Sequence, residues 1–231
     1  MNCKFIVPVI LPDMAEYCLE NYELDPSLML IVDNTPDSYC RKFEARGFQI
    51  SYHPHNLGLA ASWNRGVKRL EAGELLWIIT QSMIFPHGYQ VLVDAAQKAS
   101  RWGVMSYHNW HLMGITKEAF DLLGAFDENY YPAYYEESDW MRRKDVYNAT
   151  HDGEVFQPTV HIYCGCQGNN ITYRRGVVNV APWDPNFSGK LYYMAKWGGD
   201  GGQERFVIPF DGKEPHSVPE RTPCIPGVCT P

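Results

Sequence analysis

The sequence predicts an α/β fold, a Rossmann-like and mainly parallel sheet with helices on both faces. Two observations carry the prediction. Four strand-like runs, "CKFIVPVIL", "SLMLIVD", "FQISYH" and "ELLWIIT", recur through the first 80 residues. The stretches between them have the caps and apolar spacing of helices, and strands alternating with helices of that length build parallel sheets covered on both sides. Ligands of such sheets collect at the carboxyl ends of the strands.

Each element has its own signal. After the first strand, "DMAEYCLENYEL" reads as a helix opened by Asp13 with Glu16 three residues on, a capping-box pattern. The second strand ends at Asp33, and "TPDSYCRKFEARG" follows as a helix with Thr35 as cap, Pro36 at the first position and Gly47 as stop. In "NLGLAASWNRGVKRLEAG" the residues Leu59, Trp63, Val67 and Leu70 share one helical face. "YQVLVDAAQKAS" continues the alternation. Beyond "WGVMSYHNWHLMGIT" the pattern degrades into aromatic-rich, loop-rich sequence, although "TKEAFDLLG" keeps a cap in Thr116 and a stop in Gly124. The last residues, 211–231, are dense in proline and read as a tail.

Composition narrows the function. With 231 residues, 45% of them hydrophobic and 20% charged, the chain can bury a sizeable core in one larger domain. Its net charge of −7 and the absence of any basic run longer than "RRK" argue against an electrostatic grip on nucleic acid. The longest apolar run, "LLWII", is too short to span a bilayer, and the start lacks a signal-peptide pattern, so the expectation is a soluble, cytoplasmic protein. Seven cysteines are then expected to be reduced. The pairs Cys164/Cys166 and Cys224/Cys229 lack the spacing of zinc ribbons.

Several residues are candidates for chemistry. Asp33, at a strand end, suits hydrogen bonds to a ribose or base edge, or simply closes a "DNTP" turn. Asn56, Gly58 and Asn64 punctuate a strand-to-helix junction, where glycine admits a ligand or another backbone and helix N–H groups face an anion. In "YYEESDWMRRK", residues three and four apart face each other. Asp139 therefore meets Arg142 and Arg143 and is expected to be pinned and ionised, whereas Glu137 meets Trp140 and Met141. A carboxylate beside apolar groups and like charges gains proton affinity, as a general base requires. Glu136 faces Asp139 and Trp140. "YYMAKWGGDGGQE" suggests a mobile loop that closes over a ligand and brings Lys196 and Trp197 with it. His161 is either a metal ligand or a packed histidine.

In order, "FIVPVIL", "IVDNTPD", "NLGLAASWNRG", "GAFDENYYPAYYEESDW", "PTVHIY" and "AKWGG" resemble the family-2 glycosyltransferases of the A-type nucleotide-sugar-binding fold. The likeness runs from about residue 4 to residue 210. It implies one glycosyltransferase domain over 1–210, with a nucleotide-binding half to about residue 100 and an acceptor and catalytic half beyond it.

What the resemblance implies is inverting transfer of a sugar from a nucleoside-diphosphate donor (UDP-, GDP- or dTDP-linked) to an acceptor hydroxyl on a glycan or other molecule. Glu137 falls at the family's base, with Asp139 and Glu136 beside it, and Asp33 falls where the nucleoside binds. Asn56, Gly58, Asn64, Ser82, Lys196 and Trp197 line the donor side. The family's D-x-D acids, which hold a divalent cation (Mn or Mg), are replaced here by Thr80, Gln81 and Ser82, poor ligands for such an ion. His161 matches a position near that metal. The expectation is weak or no metal dependence, with Lys196, Arg174 or Arg175 offsetting the diphosphate charge. The alternative is a noncatalytic relative that binds a sugar nucleotide or glycan.

Overall fold

A computed structural model describes residues 2–106, 111–151, 157–160, 165–166 and 181–213. Its strands are β1 (Asn2–Val9), β2 (Met29–Asp33), β3 (Gln49–Tyr52), β4 (Glu74–Ile79), β5 (Met83–Ile84), β6 (Gly103–Ser106), β7 (Leu112–Thr116), β8 (Gln157–Val160) and β9 (Gly165–Cys166). Seven of them form one sheet in the order β3-β2-β1-β4-β7-β6-β8, and β5 pairs with β9. The pairs β1–β2, β1–β4, β2–β3 and β6–β8 are parallel, while β7 runs against both β4 and β6. The predicted mainly parallel sheet is present.

The helices are α1 (Pro12–Leu19), α2 (Leu59–Val67), α3 (Gln90–Ala96), α4 (Lys117–Leu123), α5 (Glu136–Thr150) and α6 (Ser188–Trp197). Strand side chains alternate between faces, and the central strands feed a separate core on each side. Phe5, Val7, Leu75, Trp77 and Ile79 pack with Ala15, Cys18 and Leu19 of α1 and Leu92, Ala95 and Ala96 of α3. Ile6, Leu76 and Ile78 pack on the other face with Ala60 and Trp63 of α2, Phe120 of α4 and Trp140 of α5.

Two sequence expectations need correction. α1 begins at Pro12 behind Leu11 and has no side-chain cap, and Glu16 instead accepts from Tyr39 and Lys42. The segment Tyr39–Arg46 is a 3₁₀ helix, although Thr35 Oγ1 does accept from Tyr39 N–H and Gly47 does stop it at φ +86°. The stretch "WGVMSYHNWHLMGIT", to which the sequence reading assigns no element, contains the antiparallel β6–β7 pair. Thr116 and Gly124 bound α4 as expected, with Thr116 Oγ1 accepting from Ala119 N–H at 3.1 Å.

The register sets up the site. Val9 stands beside Asp33, and Asp33 beside Tyr52, so the parallel strands end at one edge. β7 is reversed, with Leu112 beside Ile79, so its start reaches that same edge. No helix among the described residues is long and apolar enough to cross a membrane.

Candidate active site

Glu136 and Glu137 open α5 through a constrained backbone. Tyr134 and Tyr135 both have positive φ, 77° and 76°, which costs about 1–3 kcal/mol at each non-glycine position. The surroundings hold them there. Tyr135 stacks on Phe187 at 6.1 Å and packs on Tyr193 at 5.6 Å, and its carbonyl accepts from Asp139 N–H at 2.9 Å.

Asp139 anchors this turn from below. It is fully buried and accepts from Arg143 Nε at 3.1 Å and Trp197 Nε1 at 2.9 Å, with Lys196 Nζ 2.7 Å away. Lys196 also reaches Asp127 Oδ2 at 2.7 Å. Burial works to raise the Asp127 carboxyl, but the Lys196 charge and the hydrogen bonds around it prevail and hold it below its ordinary range. The expected partner Arg143 is found; Arg142 instead donates to the Phe206 carbonyl at 2.8 Å.

Above this anchor the two glutamates differ. Glu136 is wholly buried, and neither carboxylate oxygen has a hydrogen-bond partner among the described residues. Burial pushes its carboxyl well above the usual range, and the neighbouring Glu137 charge pushes the same way. Glu137 is half-buried, with Oε2 withdrawn from solvent and without a hydrogen-bond partner among the described residues. Loss of hydration raises it to about 7, against the opposing pull of backbone N–H groups and of His111. A carboxyl whose pKa is raised to near neutrality is suited to taking a proton from a bound hydroxyl.

The sheet edge completes the site. Thr80 N–H donates to the His111 carbonyl at 2.9 Å, and Thr80 Oγ1 lies 3.0 Å from Ser82 Oγ and 3.2 Å from His111 Nδ1. Thr80, Ser82 and His111 thus gather where β4 ends and β7 begins, and His111 is near enough to act electrostatically on the Glu137 carboxyl. Sequence reasoning missed His111, because strand–helix alternation gives no sign that β7 is reversed; the "HLMGIT" run was the available signal.

Other predicted residues serve the fold. Asp33 is at the edge, and its carboxylate closes the turn by accepting from Thr35 N–H, Thr35 Oγ1 and Cys40 N–H at 2.6–2.9 Å. Asn56 Oδ1 accepts from Gly58 N–H, and Asn64 clamps Phe126 through both its carbonyl and its amide. Gly58, at φ +80°, admits protein: a Cβ there would lie 2.7 Å from the Tyr131 ring. The expected anion-facing N–H of Leu59 donates to the Pro132 carbonyl at 2.8 Å. Ser82 is buried at the edge. Of the stretch 192–204 expected to be a mobile loop, 192–197 belong to α6, which Gly198 caps at φ +75°, and 198–204 continue as bends, turns and irregular chain; Lys196 and Trp197 are buried on Asp139. Lys196 is therefore neutralised within the protein. His161, Arg174 and Arg175 lie outside the described residues.

The described residues do not fit a divalent cation. Gln81 Oε1, the best oxygen donor in "TQS", already accepts from Ile10 and Leu11 N–H at 2.9 Å. No three His, Cys, Asp or Glu side chains converge among the described residues. Cys3, Cys18 and Cys40 are free and buried.

No family model matches the sequence. No curated protein matches it either. Among solved structures, S. aureus TarS 1-349 overlaps 62% of this chain and 55% of its own at 12% identity and TM-score 0.45. S. aureus TarS overlaps 62% and 33% at 14% identity and TM-score 0.44. The 4-diphosphocytidyl-2C-methyl-D-erythritolsynthase from Anaerococcus prevotii DSM 20548 overlaps 69% and 88% at 14% identity and TM-score 0.41. The chain spans about half the length of the first and a third of the second. Overlaps this partial, at such low identity, carry no conclusion about activity.

Proposed function

We propose that the protein is an inverting glycosyltransferase in which Glu137 is the general base. The single observation behind the proposal is the Glu137 carboxyl, which opens α5 within electrostatic reach of His111 at the sheet edge and is raised to about 7. In the step, the acceptor O–H bond breaks and its proton passes to Glu137. The freed oxygen forms a bond to the anomeric carbon as the bond to the diphosphate oxygen breaks on the opposite side, leaving a nucleoside diphosphate and an inverted glycoside. The order of motifs around "GAFDENYYPAYYEESDW" supports the same reading.

A second reading, noncatalytic binding of a sugar nucleotide or glycan, is favoured by one observation. The place of the acidic pair is held by Thr80, Gln81 and Ser82, and Gln81 is spent on backbone N–H groups. Thermal shift against UDP-, GDP- and dTDP-sugars, followed by assay of nucleoside diphosphate release with glycan acceptors, separates the two. Release dependent on both donor and acceptor supports transfer. Stabilisation by a donor with no release under any acceptor supports binding alone.

A further inference from the structure

Glu136 presents a physical problem that the proposed chemistry does not use. A carboxylate with no exposure and no hydrogen-bond partner for either oxygen among the described residues is cut off from bulk water and poorly placed to support a charge. Its neighbour in sequence is also a carboxyl, so a charge on each would add repulsion to desolvation.

We infer that Glu136 remains a neutral carboxylic acid throughout, a positioning residue that leaves Glu137 the one member of the pair to gain and lose a proton. The groups around the pair agree with this assignment. Among the described residues, burial first and the Glu137 charge second raise Glu136, and the N–H of Glu136 itself opposes them. On the other side, His111 and the N–H groups of Glu137 and Tyr135 favour charge on Glu137. Asp139, on the same helix, is already matched by Arg143 and Lys196 and has no charge to offer the pair. The pair thus carries one negative charge when the base is ready. It carries none after Glu137 takes the acceptor proton, and loss of that proton to water restores the first state.

The catalytic half of this inference rests on the proposed transfer, but the protonation state does not, so the test has two arms. In the full chain with ¹³C-labelled glutamate carboxyls, difference infrared spectra are recorded for wild type, Glu136→Gln and Glu137→Gln at pH 8. A protonated-acid C=O band is expected in wild type and in Glu137→Gln and should be missing from Glu136→Gln. Its absence from wild type, or its persistence in Glu136→Gln, overturns the inference. In the second arm, the pH dependence of transfer by Glu136→Gln is compared with wild type. Its ascending pH limb should stay within about half a unit of wild type. A limb lowered by a unit or more means that Glu136 carried charge, and overturns the inference. If no donor supports transfer, the infrared arm still decides the state of Glu136 while the proposed function fails by itself. If Glu136→Gln does not fold, the pH titration of the band in wild type and in Glu137→Gln decides.

Discussion

Lys196 Nζ lies 2.7 Å from Asp139 Oδ1, at the buried foot of the turn that presents Glu136 and Glu137. The contact ties α6 to α5, and Asp127 on the same ammonium brings in the "AFDE" loop. Removing one member leaves a buried charge without its match, which costs roughly 3–5 kcal/mol. Lys196→Met is expected to lower urea-unfolding stability by about that much. A variant as stable as wild type would show that the ammonium has no structural role.

Asp33 gives a prediction that separates fold from ligand. Its carboxylate accepts three hydrogen bonds from Thr35 and Cys40. Asp33→Ala leaves those donors unmet and should destabilise the chain by about 2–4 kcal/mol. Nucleoside diphosphate affinity, measured calorimetrically on the folded fraction, should change little. Unchanged stability with lost affinity would return Asp33 to the nucleoside.

The two raised glutamates make stability depend on pH. Both carboxyls hold protons more tightly when folded than when unfolded. Below the unfolded value both states are protonated and stability is flat. As pH rises above it the unfolded chain loses protons first, so stability falls, through about 7 for Glu137 and further for Glu136. Glu136→Gln removes the Glu136 part, and its gain over wild type should grow by up to about 1.4 kcal/mol per pH unit above about pH 4.5. Denaturation curves at pH 5, 6, 7 and 8 check this; a gain independent of pH contradicts it.

Metal removal offers another check. With Gln81 held by Ile10 and Leu11, the "TQS" edge lacks a free acidic ligand. Transfer is expected to survive exhaustive chelation. A complete loss that manganese restores would contradict the expectation and direct attention to His161.

Much of the fold was legible because local signals and burial agreed. The runs at Phe5–Val9, Met29–Asp33 and Glu74–Ile79 are apolar because they face cores on both sides. The reversed direction of β7 was not legible, since it is set by pairing with β4, which is distant in sequence. At the site, i+4 spacing identified the Asp139–Arg143 pair. It could not identify Lys196 and Trp197 as partners of Asp139, because they arrive from α6, nearly 60 residues away. Glycines beside Lys196 suggested a loop, whereas Gly198 is the cap of a helix.

The central assignment is the proton carried by Glu137, and the most direct test is the pH dependence of kcat/KM for donor-to-acceptor transfer in wild type and Glu137→Gln. Wild type should rise through a limb near pH 7 to a plateau. Glu137→Gln should lose about 10²–10⁴-fold at the plateau while its donor affinity stays the same. Retention of most of the activity in Glu137→Gln, with the same limb, would place the base elsewhere.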